Sequence, residues 1–178
     1  LIITVQSKSS QHKVAVLCNG PSRSAYSPDT EYAYRIGCNI PWAEVDCTVI
    51  TDEQLITAIS KDRSILKCPI YISEEALDIA RRYKINDLDI LGQVDRHKYA
   101  SSGHVAVQLA IDLGYKDIDV YGADAQFTEN IRGNIHSYTR EFVKDVYSNG
   151  SGTWKLQWDQ MVEKFKDINF NFIRKQPC

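Results

Sequence analysis

Residues 102–124 constrain the fold more than any other part of the sequence. The stretch 102–113 carries apolar side chains at helical spacing, and Gly114 follows it where a helix C-cap favours a left-handed residue. The run DIDVY at 117–121 then predicts a strand, which the sequence GAD at 122–124 closes. A helix joined so directly to a strand is typical of parallel sheets, in which neighbouring strands need a crossover connection.

The rest of the chain continues this alternation of strands and helices. Short apolar runs predict strands, and apolar faces that begin at capping residues such as Asp52 and Ser73 predict helices. The predicted strands are 13–17, 32–38, 47–51, 68–72 and 169–173, and the further predicted helices are 53–60, 73–83 and 153–165. The alternation predicts an α/β fold: a single Rossmann-like domain over residues 1–178, with a mostly parallel central sheet and helices on both faces.

Length and composition agree with one domain of this kind. A chain of 178 residues that is 43% hydrophobic and 25% charged can bury a sizeable core. Its net charge of −2 argues against a nucleic-acid partner bound through phosphate neutralisation. No apolar run in the sequence approaches the roughly 20 residues of a membrane span. The five cysteines lack Cys-x-x-Cys spacing and read as buried thiols, so we expect a cytoplasmic protein.

Residues 125–152 depart from the alternating pattern. They are polar, rich in Asn, Gly, Tyr and Ser, and they lack a hydrophobic period. A stretch of this length without regular structure inside a compact domain is usually a functional lid or is partly disordered. We therefore predict a lid or flexible loop within the domain at 125–152.

Four polar segments stand where predicted strands end or a helix begins, and open α/β sheets bind ligands at such positions. Glycine lets a backbone approach a ligand, while hydroxyls and free N–H groups at a helix start bind anions. A carboxamide can read a base or a sugar, and a carboxylate can bind a ribose hydroxyl or a metal. Each segment alone also fits an ordinary turn or cap. The segments are Asn19-Gly20-Pro21-Ser22, Gly37-Cys38-Asn39, Ser101-Ser102-Gly103 and Gly122-Ala123-Asp124.

The order of these segments resembles the bacterial sialyltransferases that decorate lipooligosaccharide, and the wider sialyltransferase-like group. Similar members carry a strand ending in G-N-G-P-S, a strand ending in C-N, and T-S-G opening a helix. They then show A-L-G-Y-K-E-I followed by a strand and G-I-D. The matching segments cover roughly half of this chain. The counterparts are 18–22, 38–39, 101–103 and 112–124.

This resemblance implies a glycosyltransferase that moves a sugar from a cytidine nucleotide to an acceptor hydroxyl, without an obligatory metal. The acceptor would be a glycan or, in a viral protein, a modified nucleobase. In similar proteins the strand-end segments hold the nucleotide, while a lid supplies tyrosines to the leaving phosphate and a histidine as general base. From the motifs and the resemblance together, the nucleotide-binding candidates are Asn19, Gly20, Ser22, Asn39, Ser101, Ser102, Gly103 and Asp124, and the lid candidates are Tyr138, Tyr147 and the base His136.

The chain departs from the family pattern at the histidine. In the family this residue stands shortly before the last helix, where the present chain reads SNGSG at 148–152. His136 is therefore a candidate on its chemistry alone, because a neutral imidazole near pH 7 suits proton removal from a hydroxyl. The other histidine near the predicted site, His104, is expected at the surface of the first turn of its helix.

Two further functions stay open at this point. One is a pterin diphosphokinase-like enzyme that uses ATP and magnesium, with Asp124 as a metal ligand. The other is a non-catalytic nucleotide-binding protein of the same fold, which keeps the pocket but has lost the base. A homo-oligomer also stays open, because nothing in the sequence decides the oligomeric state.

Overall fold

The computed structural model describes residues 12–96, 101–128, 134–135, 142–143 and 151–174. Within them lies one seven-stranded sheet in which every pair of neighbouring strands is parallel. The strands are β1 Lys13–Leu17, β2 Tyr34–Cys38, β3 Cys47–Ile50, β4 Ile70–Ile72, β5 Ile90–Gln93, β6 Asp117–Tyr121 and, last in the chain, β9 Asn169–Phe172. The helices are α1 Glu53–Lys61, α2 Glu74–Arg82, α3 Ser102–Asp112 and α4 Ser151–Lys164. The predicted Rossmann-like α/β class is confirmed.

The strand order is β5-β4-β3-β2-β1-β6-β9. From β1 to β5 the chain adds strands toward one edge of the sheet, and β6 then returns to the other side of β1. The sheet is therefore doubly wound, with its switch point between β1 and β6. Because both neighbours of β1 are strands, its residues Val14, Ala15 and Val16 are fully buried, which explains the unbroken apolar run in the sequence.

The side chains of the sheet alternate between two cores. On one face Val16, Ile36 and Val120 pack with Ala106 of α3 and Trp158 of α4. The other face has two parts. Ile50, Ile70 and Ile72 pack there with Leu55 of α1 and Leu77 of α2. Next to them, Ala15, Leu17 and Tyr121 are covered by the side chains of Tyr26, Tyr32 and Trp42 rather than by a helix.

Helix ends follow the capping signals in the sequence. Asp52 accepts a hydrogen bond from the backbone of Gln54 at 3.0 Å, and Ser73 accepts one from Ala76 at 3.3 Å. Gly114 has a φ of +91°, the left-handed conformation predicted at the end of α3. Among the described residues, no helix is long and apolar enough to cross a membrane.

The structure differs from the prediction in the details of several elements. The strand predicted at 68–72 begins only after Pro69, and β4 lies inside the sheet between β3 and β5. β5 is an edge strand at residues for which the sequence predicts neither a strand nor a helix. Leu113 shares the helical spacing of α3 yet is 43% exposed, because it follows the last helical residue.

The predicted lid contains regular structure. The short strands β7, Asn134–Ile135, and β8, Phe142–Val143, pair antiparallel within it. A 3₁₀-helix at Asp124–Gln126 follows β6, and α4 already begins at Ser151. The segment 125–152 therefore combines elements of its own with residues outside the described part.

Candidate functional site at the switch point of the sheet

The loops that follow β1 and β6 meet at the carboxyl end of the sheet. The backbone N–H of Gly20 donates to the carbonyl of Gly122 at 2.9 Å, and that of Cys18 donates to Tyr121 at 2.8 Å. In doubly wound sheets the chain diverges at this point and leaves a crevice, and ligands bind there. The structure thus brings together the predicted segments 19–22 and 122–124 at the position where this topology favours ligand binding.

Two glycines allow these loops to touch. A Cβ on Gly20 would lie 2.2 Å from Asp124 Oδ2 and 2.4 Å from the Gly122 carbonyl oxygen. Gly122 has a φ of +70°, and its Cβ would lie 2.3 Å from the Cys18 carbonyl oxygen. The glycine at position 20, predicted for close approach to a ligand, is required here for close approach of one loop to the other.

Asp124 and Ser22 form a buried pair across these loops. The Ser22 hydroxyl donates to Asp124 Oδ1 at 2.5 Å, and the Ser22 backbone N–H donates to Asp124 Oδ2 at 3.0 Å. Both residues are more than nine-tenths buried. The carboxylate thereby anchors the 3₁₀-helix Pro21–Ala25 that follows β1. The backbone N–H and the hydroxyl of Ser22 both donate to Asp124. That Ser22 donates to a phosphate stays a prediction.

Asn19 contributes a buried acceptor at the same place. Its side-chain Oδ1 is shielded from solvent and has no hydrogen-bond partner in the part of the chain that the structure describes. The backbone carbonyls of Asn19 and Gly20 accept from Arg23 Nη1, each at 3.1 Å. Burial lowers the pKa of the Arg23 guanidinium, and the Asp124 carboxylate opposes that effect. A positive charge and an unsatisfied amide oxygen therefore belong to the loop after β1.

Asn39 forms the second part of the site, at the ends of β2 and β3. It has a φ of +60°, and its Oδ1 accepts from the Ser102 hydroxyl at 3.2 Å. The Ser102 hydroxyl also lies 3.0 Å from Thr51 Oγ1. The amide Nδ2 of Asn39 has no hydrogen-bond partner among the described residues, so it remains available as a donor.

The start of α3 is organised by Ser101 and His104. The Ser101 backbone N–H donates to His104 Nδ1 at 3.2 Å, and the two side chains close a capping box. Because Nδ1 accepts the hydrogen bond from Ser101, the proton of the neutral imidazole is on Nε2. Nε2 donates it to the Trp154 carbonyl at 3.1 Å. The ring stacks on Trp158 at a centroid distance of 3.8 Å.

The expected surface position of His104 is wrong. The residue is 3% exposed, because the first residues of α3 pack beneath α4. Burial lowers the pKa of His104 to about 4, and its hydrogen bond to Trp154 opposes that effect. A neutral, fully engaged imidazole joins the start of α3 to α4.

Gly103 joins the two parts of the site. A Cβ on this glycine would lie 2.8 Å from Cys18 Sγ, so the first turn of α3 rests directly on the end of β1. The loop with Asn19 and the cluster around Ser102 are therefore adjacent. The described candidates from all four segments form one continuous patch at the carboxyl end of the sheet.

Three lid candidates cannot be located. The base His136 and the tyrosines Tyr138 and Tyr147 lie outside the described residues, so their predicted roles stay predictions. Sequence reasoning missed Thr51 and Arg23. Thr51 was detectable, since it ends the predicted third strand at the same edge as Asn39. The position of Arg23 depends on the 3₁₀-helix after β1, which no pattern in the sequence predicts.

Other features of the described residues do not add to this site. They hold no group of three His, Cys, Asp or Glu side chains arranged for a metal ion. Two surface depressions that they form, of about 510 and 290 Å³, lie at the opposite end of the sheet. The larger one adjoins Tyr115 and Asp117 at the start of β6, and the smaller one adjoins Pro69 and Asp89 before β4 and β5.

The fold and the position of the site define a Rossmann-like α/β domain with a candidate ligand crevice at its topological switch point. Comparisons with family models, curated proteins and solved structures found no match.

Proposed function

We propose that the protein is a nucleotide-sugar-dependent glycosyltransferase of sialyltransferase-like type. It would transfer a sugar from a cytidine nucleotide donor to the hydroxyl of a glycan or another acceptor. The free thiols of the four described cysteines fit a cytoplasmic location for this activity.

The observation that carries the proposal is the buried amide oxygen of Asn19, which has no hydrogen-bond partner among the described residues. A buried acceptor without a partner costs about 1–3 kcal/mol, and native proteins keep such groups rare. A ligand that donates an N–H or O–H to this oxygen would recover that free energy. Nucleosides carry such donors as the amino group of a base and the hydroxyls of a ribose, whereas a phosphate dianion carries none.

The cluster around Asn39 supports the same ligand class. Asn39 Nδ2 can donate, while the Ser102 hydroxyl and the N-terminal N–H groups of α3 stand beside it. An eleven-residue helix directs the positive end of its dipole toward this point. We therefore assign the phosphate of the donor to the start of α3 and the nucleoside to the loop with Asn19.

The proposed reaction needs a base and a stabilised leaving group. The acceptor oxygen bonds to the anomeric carbon, the bond from that carbon to the phosphate oxygen breaks, and the base removes the acceptor proton. We assign the base to His136 and contacts with the leaving phosphate to Tyr138 and Tyr147. Positioning of donor and acceptor supplies a large part of the rate in reactions of this kind.

The first test is a thermal unfolding series with CMP, CDP, UMP, UDP, AMP, ATP, GDP and NAD, each with and without magnesium. A ligand at 100 times its Kd stabilises a domain by about 2.7 kcal/mol, which is easily measured. A selective, magnesium-independent response to cytidine nucleotides is expected. A response to ATP only with magnesium would support the diphosphokinase-like alternative, and silence across the series would contradict nucleotide binding.

The Asn19→Ala variant tests the carrying observation directly. We expect the ligand-free variant to unfold at the same or a higher temperature, because the substitution removes a buried group without a partner. We expect CMP to bind at least about tenfold more weakly, a loss of about 1.4 kcal/mol. Asn169→Ala is the matched control, since Asn169 lies on β9, away from the site, and its side-chain amide donates to Asp117. A destabilised Asn19→Ala that binds CMP normally would assign Asn19 a structural role.

A separate assay distinguishes a transferase from a binder. A transferase is expected to hydrolyse its nucleotide-sugar donor slowly without acceptor, and His136→Ala is expected to abolish this hydrolysis. Steady nucleotide binding without any turnover would support the non-catalytic alternative. Full activity in His136→Ala would show that the base is another residue.

A further inference from the structure

Two cysteines stand side by side where β1 and β2 end. Leu17 pairs with Gly37 across these strands, so Cys18 and Cys38 are the next residues in register. Their sulfur atoms are 3.8 Å apart. Neighbouring strands are about 4.8 Å apart, which lies within the Cα separation of about 4.4–6.8 Å that disulfides span. The backbone therefore already holds the two residues at bonding distance.

The two thiols differ in their surroundings. Cys38 donates its S–H to Cys18 Sγ, and this hydrogen bond together with burial raises the pKa of the Cys38 thiol. Cys18 is the more exposed of the two, at 7% against 2%. Its sulfur also lies against Gly103 in the first turn of α3. Cys18 is accordingly the sulfur that we expect to react first.

We propose that Cys18 and Cys38 form a reversible disulfide that controls the geometry of the two loops carrying Asn19 and Asn39. The oxidant is a low-molecular-weight disulfide. The Cys18 thiolate attacks one of its sulfur atoms and releases one reduced thiol, and the Cys38 thiolate then attacks Cys18 Sγ and releases the second. Two cysteine S–H bonds are lost, one intramolecular S–S bond forms, and the two protons leave on the two released thiols.

Closing this bond changes the candidate site without adding any group to it. The sulfur atoms must approach from 3.8 Å to about 2.05 Å, and one of them, Cys18 Sγ, lies against Gly103 at the start of α3. The residues that follow the two cysteines are Asn19 and Asn39, and the Cys18 carbonyl accepts from Trp42 Nε1 at 3.0 Å. The oxidised protein therefore holds both amide side chains, and the start of α3, differently from the reduced one.

The test is oxidation of the full chain with glutathione disulfide at pH 8.5, followed by acid quenching, alkylation and peptide mapping. We expect one linkage, Cys18 to Cys38, with a mass loss of about 2 Da, reversed by dithiothreitol. Cys68→Ser is expected to keep the linkage, since Cys68 lies apart on the approach to β4. Free Cys18 and Cys38 in a sample whose Cys68 has reacted would overturn the proposal.

Hydrogen exchange measures the effect on the site independently of any nucleotide. We expect oxidation to change the exchange rates of peptides covering 18–22 and 38–42, with the peptide covering β4 unchanged. Cys18→Ala and Cys38→Ala should each abolish both the linkage and the change. A disulfide that forms without altering exchange in either loop would refute its control of the site, even if nucleotide binding itself were confirmed.

Discussion

Burial disfavours a charged histidine unless an opposite charge lies nearby, so a buried histidine without such a partner is neutral near pH 7. His104 meets this condition because Nδ1 accepts from the Ser101 backbone and Nε2 donates to the Trp154 carbonyl. Protonation of the ring would add a proton to Nδ1, which already accepts the backbone N–H of Ser101. The two hydrogen atoms would then point at each other. The imidazole is therefore a hydrogen-bonded link between α3 and α4 rather than a proton carrier.

This histidine makes stability depend on pH in a defined direction. The folded pKa of His104 is about 4 and lies below the ordinary value of 6.5, so the unfolded chain takes up a proton first as pH falls. The contribution to stability is present above pH 6.5 and is lost toward pH 4. Between pH 7 and pH 5 we expect the free energy of unfolding to fall by about 2 kcal/mol through this residue.

Urea denaturation of His104→Gln at the two pH values checks this expectation. Glutamine at this position keeps the capping box but does not titrate, so the variant should lose less stability between pH 7 and pH 5 than the parent protein. His12→Gln is the control, because His12 is an exposed histidine at the start of β1. An unchanged pH dependence in His104→Gln would contradict the assignment.

Asn39 offers a second prediction at this scale. Aspartate tolerates the same left-handed backbone and keeps the oxygen that accepts from Ser102, but it replaces Nδ2 with a negatively charged oxygen. Asn39→Asp should therefore fold with nearly unchanged stability while losing about tenfold or more in affinity for CMP. Isothermal titration measures the affinity, and equal binding by both proteins would remove Asn39 from the phosphate site.

At the scale of elements, the loop after β6 and the end of α3 depend on glycine for different reasons. Gly122 combines a positive φ with direct contact to the Cys18 carbonyl, whereas Gly114 has a positive φ and nothing within 4 Å of a Cβ. Substitution of Gly114 therefore tests the cost of backbone strain alone, whereas substitution of Gly122 adds a steric clash with the Cys18 carbonyl. The two glycines form a matched pair for mutation.

Gly114→Ala should cost about 1 kcal/mol, the ordinary cost of a side chain in the left-handed region. Gly122→Ala should cost several times more, because the loops after β1 and β6 must also move apart. Denaturant unfolding of both variants measures the difference. Equal losses would mean that the two loops are not held in contact in solution.

Most of the fold, considered as a whole molecule, could be predicted from local signals. Apolar runs, capping residues and a glycine at the end of α3 announce their own elements within a few residues. Local signals do not predict the strand order. β4 lies inside the sheet only because β5 pairs with its outer edge, and β5 is a short, mostly exposed strand without a clear sequence pattern. The same limit applies to the site. Gly20 and Ser22 meet Asp124 across about a hundred residues, and His104 is buried by Trp158 of the last helix.

The dependence of residues 1–96 on residues 97–178 for folding gives a prediction at this scale. A chain ending at residue 96 keeps β1 to β5 but lacks α3, β6 and α4, which cover one face of β1 and one of its edges. We expect this fragment to show no cooperative thermal transition by circular dichroism, because the larger core is missing. Mixing it with a peptide of residues 97–178 should restore the transition. A sigmoidal transition in the fragment alone would contradict this dependence.

The place of β1 between β2 and β6 has a consequence for biosynthesis. Its two partners lie on either side in space but far apart in the gene, since Lys13 pairs with Asp117. At translation rates of about 5–20 residues per second, roughly 5 to 20 seconds pass between the synthesis of β1 and that of β6. Throughout this interval the nascent chain carries β1 as an open, apolar edge, the kind of surface on which chains associate. A strand that is enclosed by neighbours on both sides in the finished protein therefore keeps one edge unpaired until about a hundred further residues have been made.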